Sequence, residues 1–419
     1  MQNQGRPTGK PASGSESASV PADLRQLAYV DLASSELTRD LNRDIVLERI
    51  RSVQPVSRVD LARASGLQPS TVSSIVEKLL EERWIRESAM VKTARGRRPT
   101  LLSLNEDMVF LVADVRPALG TVAVVDLNGR LLERQVVPLS RQPQLSVENL
   151  AMAMRNLRAQ HPDKTYQGVG VCLPGRVDPA TNQLIFAPNL KWSEYPLRKH
   201  LSELLGLEVQ LENAANASLL SELWFGRVDG VRNAMLITVA ESIGAAILAD
   251  GHLIYGQRGL AGEFGHITVD PEGPLCCCGA RGCWEVYASS RAALRYYKEL
   301  EPDAEVRSTL ELLTLALDGN CSAQKALTKQ ARAIGQGLHL LNAIMSPELI
   351  LLAGDFQVFY EMYCDVIEAE CRAGAMDGVG PRIHSINDGE IMRLRGAAAV
   401  VLQRHSGYYR AAHIRVEQR

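Results

Sequence analysis

At 419 residues the chain has room for two or three domains, and 46% hydrophobic with 22% charged residues is the balance of a globular protein with ample core. No apolar run approaches the ~20 residues needed to cross a bilayer, and the polar start, MQNQGRPTGKPASGSESASVP, lacks signal-peptide character. A cytoplasmic protein with reduced thiols and no membrane association is therefore expected. The net charge of −2 conceals an asymmetry, because residues 41–100 hold twelve Lys/Arg against seven Asp/Glu, a balance of +5 that leaves −7 elsewhere. A basic module on an acidic body suggests a polyanion partner for the module alone.

Helical spacing is clear from Leu41, with Ile45, Val46 and Ile50 on one face, and it breaks at Gln54 and Pro55. Ser57 is placed to cap a short second helix carrying Leu61, Ala62 and Ala64, which Gly66 ends. Pro69 and Ser70 then open a third helix. Its apolar face is Val72, Ile75, Val76, Leu79 and Leu80, and its other face starts with Ser70, Thr71, Ser73 and Ser74. Small uncharged polar side chains suit a recognition helix, whose first turns come close to base edges and phosphates.

A two-stranded wing is expected after Trp84 and Ile85. It holds ARGRRP at 94–99, where Arg95, Arg97 and Arg98 with one glycine make a thin cationic finger. Such a finger suits the narrow minor groove of A·T-rich DNA. An ordinary helical bundle with a solvated charged loop is the plainer alternative. The order of the features favours a winged helix-turn-helix over 38–105 that binds double-stranded DNA, behind a disordered or poorly ordered tail at 1–37.

From about Phe110 the texture becomes α/β. FLVADVRPALGTVAVVDLNGRLLERQVV reads as two or three strands, with Asn128 and Gly129 as a hairpin signal. A helix at 147–160 and a strand GVGVCLPGRVD at 168–178 follow. Beyond strand NAMLITVA lie the glycine-rich GHLIYGQRGLAGEFGH, long helices at 289–300 and 323–344, and the buried strand ELILLAGDF. This order predicts two sequential α/β lobes within 106–419, at about 106–230 and 231–419, with the ligand cleft between them.

PLCCCGARGCWE, at 274–285, gathers Cys276, Cys277, Cys278 and Cys283, four of the eight cysteines. In a reducing compartment such crowding suggests a metal site more than a disulfide framework. Free buried thiols or a redox pair are the alternatives.

Together these features resemble the ROK family of repressors, open reading frames and sugar kinases, in its xylose-repressor and N-acetylglucosamine-repressor branch, over about residues 38–403. The family's C-x-C-G-x-x-G-C-x-E falls on Cys276, Cys278, Gly279, Gly282, Cys283 and Glu285, and its G-E-x-G-H on Gly262, Glu263, Gly265 and His266. The resemblance implies an actin/hexokinase-like body of two ribonuclease-H-like lobes behind the winged helix. It implies a structural Zn2+ on His266, Cys276, Cys278 and Cys283, a full tetrahedral set that leaves no open position, with Cys277 as the spare. The family's sugar contacts fall on Asn189, Asn213, Glu263, His266 and Glu285, whose donors and acceptors suit sugar hydroxyls.

The kinase motifs depart from the family pattern. E-N-D-A-N-A, whose aspartate is the kinases' general base, reads Glu212, Asn213, Ala214, Ala215, Asn216, Ala217. A methyl group cannot accept a proton, and losing a general base costs ~10²–10⁴ in rate. The first phosphate motif, D-x-G-x-T, reads Asp114, Val115, Arg116, Pro117, Ala118. The second reads Ala240, Glu241, Ser242, Ile243, Gly244, Ala245, Ala246, with a carboxylate where phosphate oxygens would lie, and the adenosine-side glycine pair reads Ala353, Gly354, Asp355.

These departures predict no catalytic residues and no kinase activity. The expected protein is a transcriptional regulator, a repressor of carbohydrate-metabolism genes. It would bind an operator as a homodimer or tetramer and take a sugar or sugar derivative as effector without phosphorylating it. Two rivals remain, an active ATP-dependent sugar kinase with a DNA-binding appendage and a DNA-binding protein whose body no longer binds a small molecule.

Overall fold

The computed structural model describes residues 35–88, 100–192, 195–226, 230–354, 357–373, 380–386 and 389–404. Helix α1 (Ser35–Val53) begins before the expected Leu41, because its first turn, Ser35, Glu36, Leu37 and Thr38, is mostly polar and adds little to the apolar period. Residues 35–37, read as tail, are therefore helical. Then come β1 (Val56–Ser57), α2 (Arg58–Ser65), α3 (Pro69–Glu81), β2 (Ile85–Ser88) and β3 (Leu101–Leu104). Ser57 caps α2 by accepting the Asp60 N–H at 3.2 Å, and Gly66 ends the helix at φ 71°. Helix α3 starts on Pro69 and buries Val72, Ile75, Val76 and Leu79. Strand β3 lies between β1 and β2, antiparallel to both. The expected finger, with Arg95, Arg97 and Arg98, lies outside the described residues.

The first lobe runs through β4 (Met108–Val115), β5 (Leu119–Asp126), β6 (Leu131–Pro138), α4 (Pro143–Gln160), β7 (Thr165–Leu173), β8 (Arg176–Asp178), β9 (Gln183–Phe186), α5 (Leu197–Leu205), β10 (Val209–Asn213) and α6 (Ala214–Phe225). The strand expected at 168–178 is two strands. Pro174 and Gly175 break it, and β8 turns away to pair with β9. Helix α4 starts at Pro143 rather than Val147, since proline at the first turn needs no N–H donor there.

The second lobe holds β11 (Ala234–Val239), β12 (Ile243–Ala249), β13 (His252–Leu253), α7 (Glu285–Ala288), α8 (Ser290–Leu300), α9 (Thr309–Leu317), α10 (Cys321–Met345), β14 (Leu349–Ala353), α11 (Gln357–Arg372) and β15 (Arg382–Ser385), and α12 (Gly389–Arg404) closes the described chain. The two five-stranded sheets have one topology. Three antiparallel strands in sequence are followed by two that add parallel to the first, giving β10-β7-β4-β5-β6 and β13-β12-β11-β14-β15. This repeated ribonuclease-H-like order is the duplicated architecture expected of an actin/hexokinase-like body.

Helix α12 departs from the sequential division at 230. It leaves the second lobe and packs on the first sheet, where the Ala397 backbone fills the space a side chain at Gly170 would need. Strand β4 is buried on both faces for this reason. Val109, Leu111, Ala113 and Val115 face a core shared with α4, while Met108, Phe110 and Val112 share one with Leu394, Ala397 and Val401 of α12. That second core also takes in Val46, Ile50, Leu61, Val76 and Leu102 of the N-terminal module. The module is therefore built onto the first lobe through continuous apolar packing. Among the described residues no helix is long and apolar enough to cross a membrane.

Candidate functional site

The cysteine loop is a tight hairpin. Cys276 N–H donates to the Ala280 carbonyl at 2.8 Å, and Gly279 N–H donates to the Cys276 carbonyl at 3.0 Å. Gly279 and Gly282 sit at φ 93° and 62°, which side chains rarely adopt, and the Asp270 carbonyl lies against the Gly282 Cα. The hairpin is tied to the strand-like backbone before it by the Thr268–Cys283 bridge and by Trp284 N–H donating to the Ile267 carbonyl at 2.8 Å. It brings one nitrogen of His266 and the sulfurs of Cys276, Cys278 and Cys283 within 4.8 Å of one another.

The spacing tests whether this set fits a metal. Tetrahedral zinc, with bonds of about 2.3 Å to sulfur and about 2.05 Å to nitrogen, holds two sulfurs about 3.8 Å apart and a sulfur and nitrogen about 3.6 Å apart. Cys278 and Cys283 Sγ are 3.6 Å apart, and Cys276 Sγ lies 3.5 Å from His266 Nδ1. Both edges match. Burial raises the Cys276 and Cys283 thiols, while the Ala280 backbone N–H lowers that of Cys278. A cation would supply the charge that lets the buried thiols ionise. The described residues thus contain a Cys/His cluster able to hold a metal ion.

His266 Nε2 faces away from the sulfurs, 3.9 Å from Glu263 Oε2. Glu263 is exposed, whereas Glu285 is buried. Glu285 Oε1 accepts from the Cys276 thiol at 3.0 Å and the Cys277 thiol at 3.1 Å. Cys277, the expected spare, is therefore a partner of a predicted sugar contact. Its adjacency to Cys276 was visible in the sequence, but its direction was not.

On the first lobe, Asn189 is exposed in a 3-10 turn at Pro188–Leu190. Asn213 caps α6, accepting the Ala215 N–H at 2.8 Å and donating to the Gly175 carbonyl at 2.6 Å. The first turn of α6 meets the second lobe: an added Cβ at Gly244 of β12 would lie 3.8 Å from that of Ala215, and Gly265, beside His266, lies against Ile243 at the start of β12. Asn213 and the segment of His266 thus border one seam between the lobes, without a direct bond between the two side chains among the described residues. Neighbouring Glu212 was not singled out as a contact. It is buried, accepts from Asn213 N–H, Asn216 Nδ2 and Tyr255 OH at 2.8, 3.0 and 3.1 Å, and burial lifts its carboxyl to about 7.

Charged side chains stand in the two stretches that resemble the family's phosphate motifs. Asp114, at the end of β4, is 1% exposed and accepts from Arg393 Nε of α12 at 3.0 Å on both oxygens. Arg116 reaches Asp114 at 3.3 Å and donates to Glu390 at 2.7 Å, and Arg134 pairs with the same Glu390 at 3.0 Å. Glu241, in the β11–β12 turn, is turned out to Arg291 at 2.9 Å. Only Asp114 and Arg116 of this network belong to the motif, so the sequence did not reveal Glu390 and Arg393, which are distant in the chain, or Arg134 on β6.

On the N-terminal module, Ser70 and Ser74 are exposed and Thr71 and Ser73 half-exposed, all on the outer face of α3. Ser73 is partly engaged, donating to the Pro69 carbonyl at 2.9 Å.

The ROK family model matches residues 120–404. The xylose repressor of Bacillus subtilis is 29% identical over 355 residues, spanning 84% of this chain and 91% of that protein. A glucokinase of Streptomyces coelicolor is 32% identical over 270 residues, 61% of this chain and 84% of the kinase. The solved structure of a ROK family transcriptional regulator, a homolog of the Escherichia coli MLC protein, covers 90% of this chain and 100% of its own at a TM-score of 0.77 and 24% identity, which supports the fold. With two-thirds of its length matched by the family model and both sheets in the duplicated order, the chain belongs to the ROK family.

Proposed function

We propose that this chain is a cytoplasmic, sugar-responsive transcriptional repressor. The winged helix would grip an A·T-rich operator, with Ser70, Thr71, Ser73 and Ser74 in the major groove and Arg95, Arg97 and Arg98 in the minor groove. The observation that carries this reading is the body's ion-pair network. Asp114, Arg116, Arg393 and Glu390 fill the phosphate-motif region with paired charges, and Ala214 offers no base, so the cleft is suited to binding a sugar without transferring phosphate to it. The xylose-repressor likeness spans 84% of the chain, whereas the glucokinase likeness spans 61%.

His266, Cys276, Cys278 and Cys283 would hold a structural zinc, which when bound supplies a fixed dication that orders the loop. His266 Nε2, Glu263 and Glu285 would then face sugar hydroxyls from the second lobe, with Asn189 and Asn213 opposite. An ionised Cys276 cannot donate to Glu285, so the carboxylate would keep Cys277 as its thiol donor and gain freedom to turn to ligand. The effector would act by binding one arrangement of lobes and module more tightly than the other. Two chains on a palindromic operator form the simplest assembly.

The test is selection of binding sites from random duplexes, followed by titration with a sugar panel and an ATP-coupled phosphorylation assay. A selected palindrome whose affinity shifts with one sugar, without ADP release, is the expected result. Affinity no better than for random duplex, or steady sugar-dependent ADP formation, would overturn the reading.

A further inference from the structure

Gln54 follows the last residue of α1 and makes three side-chain bonds, one of them from its Nε2 to the Arg51 carbonyl of α1 at 3.4 Å. Its Oε1 accepts the Leu104 N–H of β3 at 2.8 Å, and its Nε2 donates to Asn128 Oδ1 at 2.6 Å. Asn128 lies in the β5–β6 turn of the first lobe, which Asp126 Oδ1 braces by accepting the N–H groups of residues 128 and 130 at 2.8 and 2.9 Å. One amide thus ties the first helix and the wing strand of the module to a single turn of the body. The apolar core beneath contributes adhesion but no direction. Hydrogen bonds supply the direction.

The same turn is held from the other side. Gly129, at φ 75°, presses on Phe225, the last residue of α6, so closely that an added Cβ would lie 2.6 Å from its ring. Its carbonyl accepts from Arg395 Nε of α12 at 2.8 Å. Helices α6 and α12 pack with the Gly396 Cα against the Ala217 backbone, leaving no space for slippage. At its far end α6 begins on Asn213, bound to Gly175 at the lobe seam. A helix of 12 residues is about 18 Å long, so α6 is a rigid strut from the proposed sugar site to the turn that holds the module.

We propose that this turn is the joint that passes the state of the cleft to the DNA-binding module, with Gln54 and Asn128 as its positioning residues. The inference rests on the proposed function above. Coupling is reciprocal, so operator binding must be felt at the cleft end of α6.

The test compares amide hydrogen exchange of the full chain with and without the selected operator duplex. In the unsubstituted protein, exchange should change at 69–81 and also at 213–217. In Asn128→Ala and Gln54→Ala the change at 69–81 remains and that at 213–217 is lost. Asn128→Asp, which keeps an acceptor for Gln54, restores it. Variants that bind operator and still transmit the change to 213–217 overturn the joint, as does an unsubstituted protein that binds operator with no change there. A chain that selects no operator overturns the functional reading itself.

Discussion

The indole of Trp284 occupies the space that a side chain at position 337 would need. Its ring lies against the Gly337 Cα on α10, and its Nε1 donates to the Ala333 carbonyl at 2.8 Å. Trp284 directly follows the metal-cluster residue Cys283 and precedes Glu285, so this one contact anchors both to the second-lobe core. Gly337→Ala should displace the indole and destabilise the protein by about 1–3 kcal/mol, the usual cost of overpacking. Thermal unfolding would register the loss, with a drop in metal content alongside. An unchanged midpoint would show that the anchor lies elsewhere.

Two adjacent cysteines distinguish the proposed zinc set from the thiol beside it. Cys277 and Cys278 are both exposed, but only Cys278 belongs to the four-atom set with His266. Cys278→Ser should lower zinc affinity by more than the about 10–100-fold that loss of a residue supporting a ligand costs. Cys277→Ser should leave zinc content near that of the unsubstituted protein. Elemental analysis of both, after dialysis against a weak chelator, distinguishes this arrangement from one in which Cys277 is the ligand.

Local signals were the legible ones. Ser57, Gly66 and Pro69 set helix ends in the N-terminal module through capping and backbone geometry, and each acts where the sequence places it. The Cys/His cluster was legible because three of its members and two glycines lie within one short loop. Long-range partners were not. Glu390 and Arg393 meet Asp114 and Arg116 across more than half the chain, and only the return of α12 to the first sheet brings them there. Gln54 gave a sequence signal as a helix stop, but its bond to Asn128 depends on how two units pack, which periodicity does not encode. The sequential lobe boundary missed α12 for the same reason.

Glu212 makes stability depend on pH in a definite direction. Burial raises its carboxyl from the usual 4.5 to about 7 in the folded chain, against the opposing effect of its hydrogen-bond donors. Between those values the folded state holds a proton that the unfolded state has released, so stability falls as pH rises through the window. The full shift corresponds to about 3 kcal/mol at most, present below about pH 4.5 and lost by about pH 7. Glu212→Gln cannot ionise, so its denaturant midpoint should fall less than that of the unsubstituted protein between pH 5 and 7.5. Parallel slopes for the two proteins would mean that Glu212 is ionised throughout.

Restoring the missing base should not restore a kinase. Ala214→Asp returns a carboxylate to the position where family kinases carry one, and a base alone supplies ~10²–10⁴ in rate. Phosphoryl transfer also needs room and positive charge for the transferred group. Here the guanidinium of Arg116 is committed to Asp114 and Glu390, Arg393 is committed to Asp114, and Pro117 has no N–H to offer a phosphate oxygen. The single variant should therefore release no ADP above background with any aldose, and freeing the site would require changes at 116 and 390 as well. Sugar-dependent turnover by Ala214→Asp alone would mean that the ion-pair network opens readily and that Asp was the only part of the machinery lost.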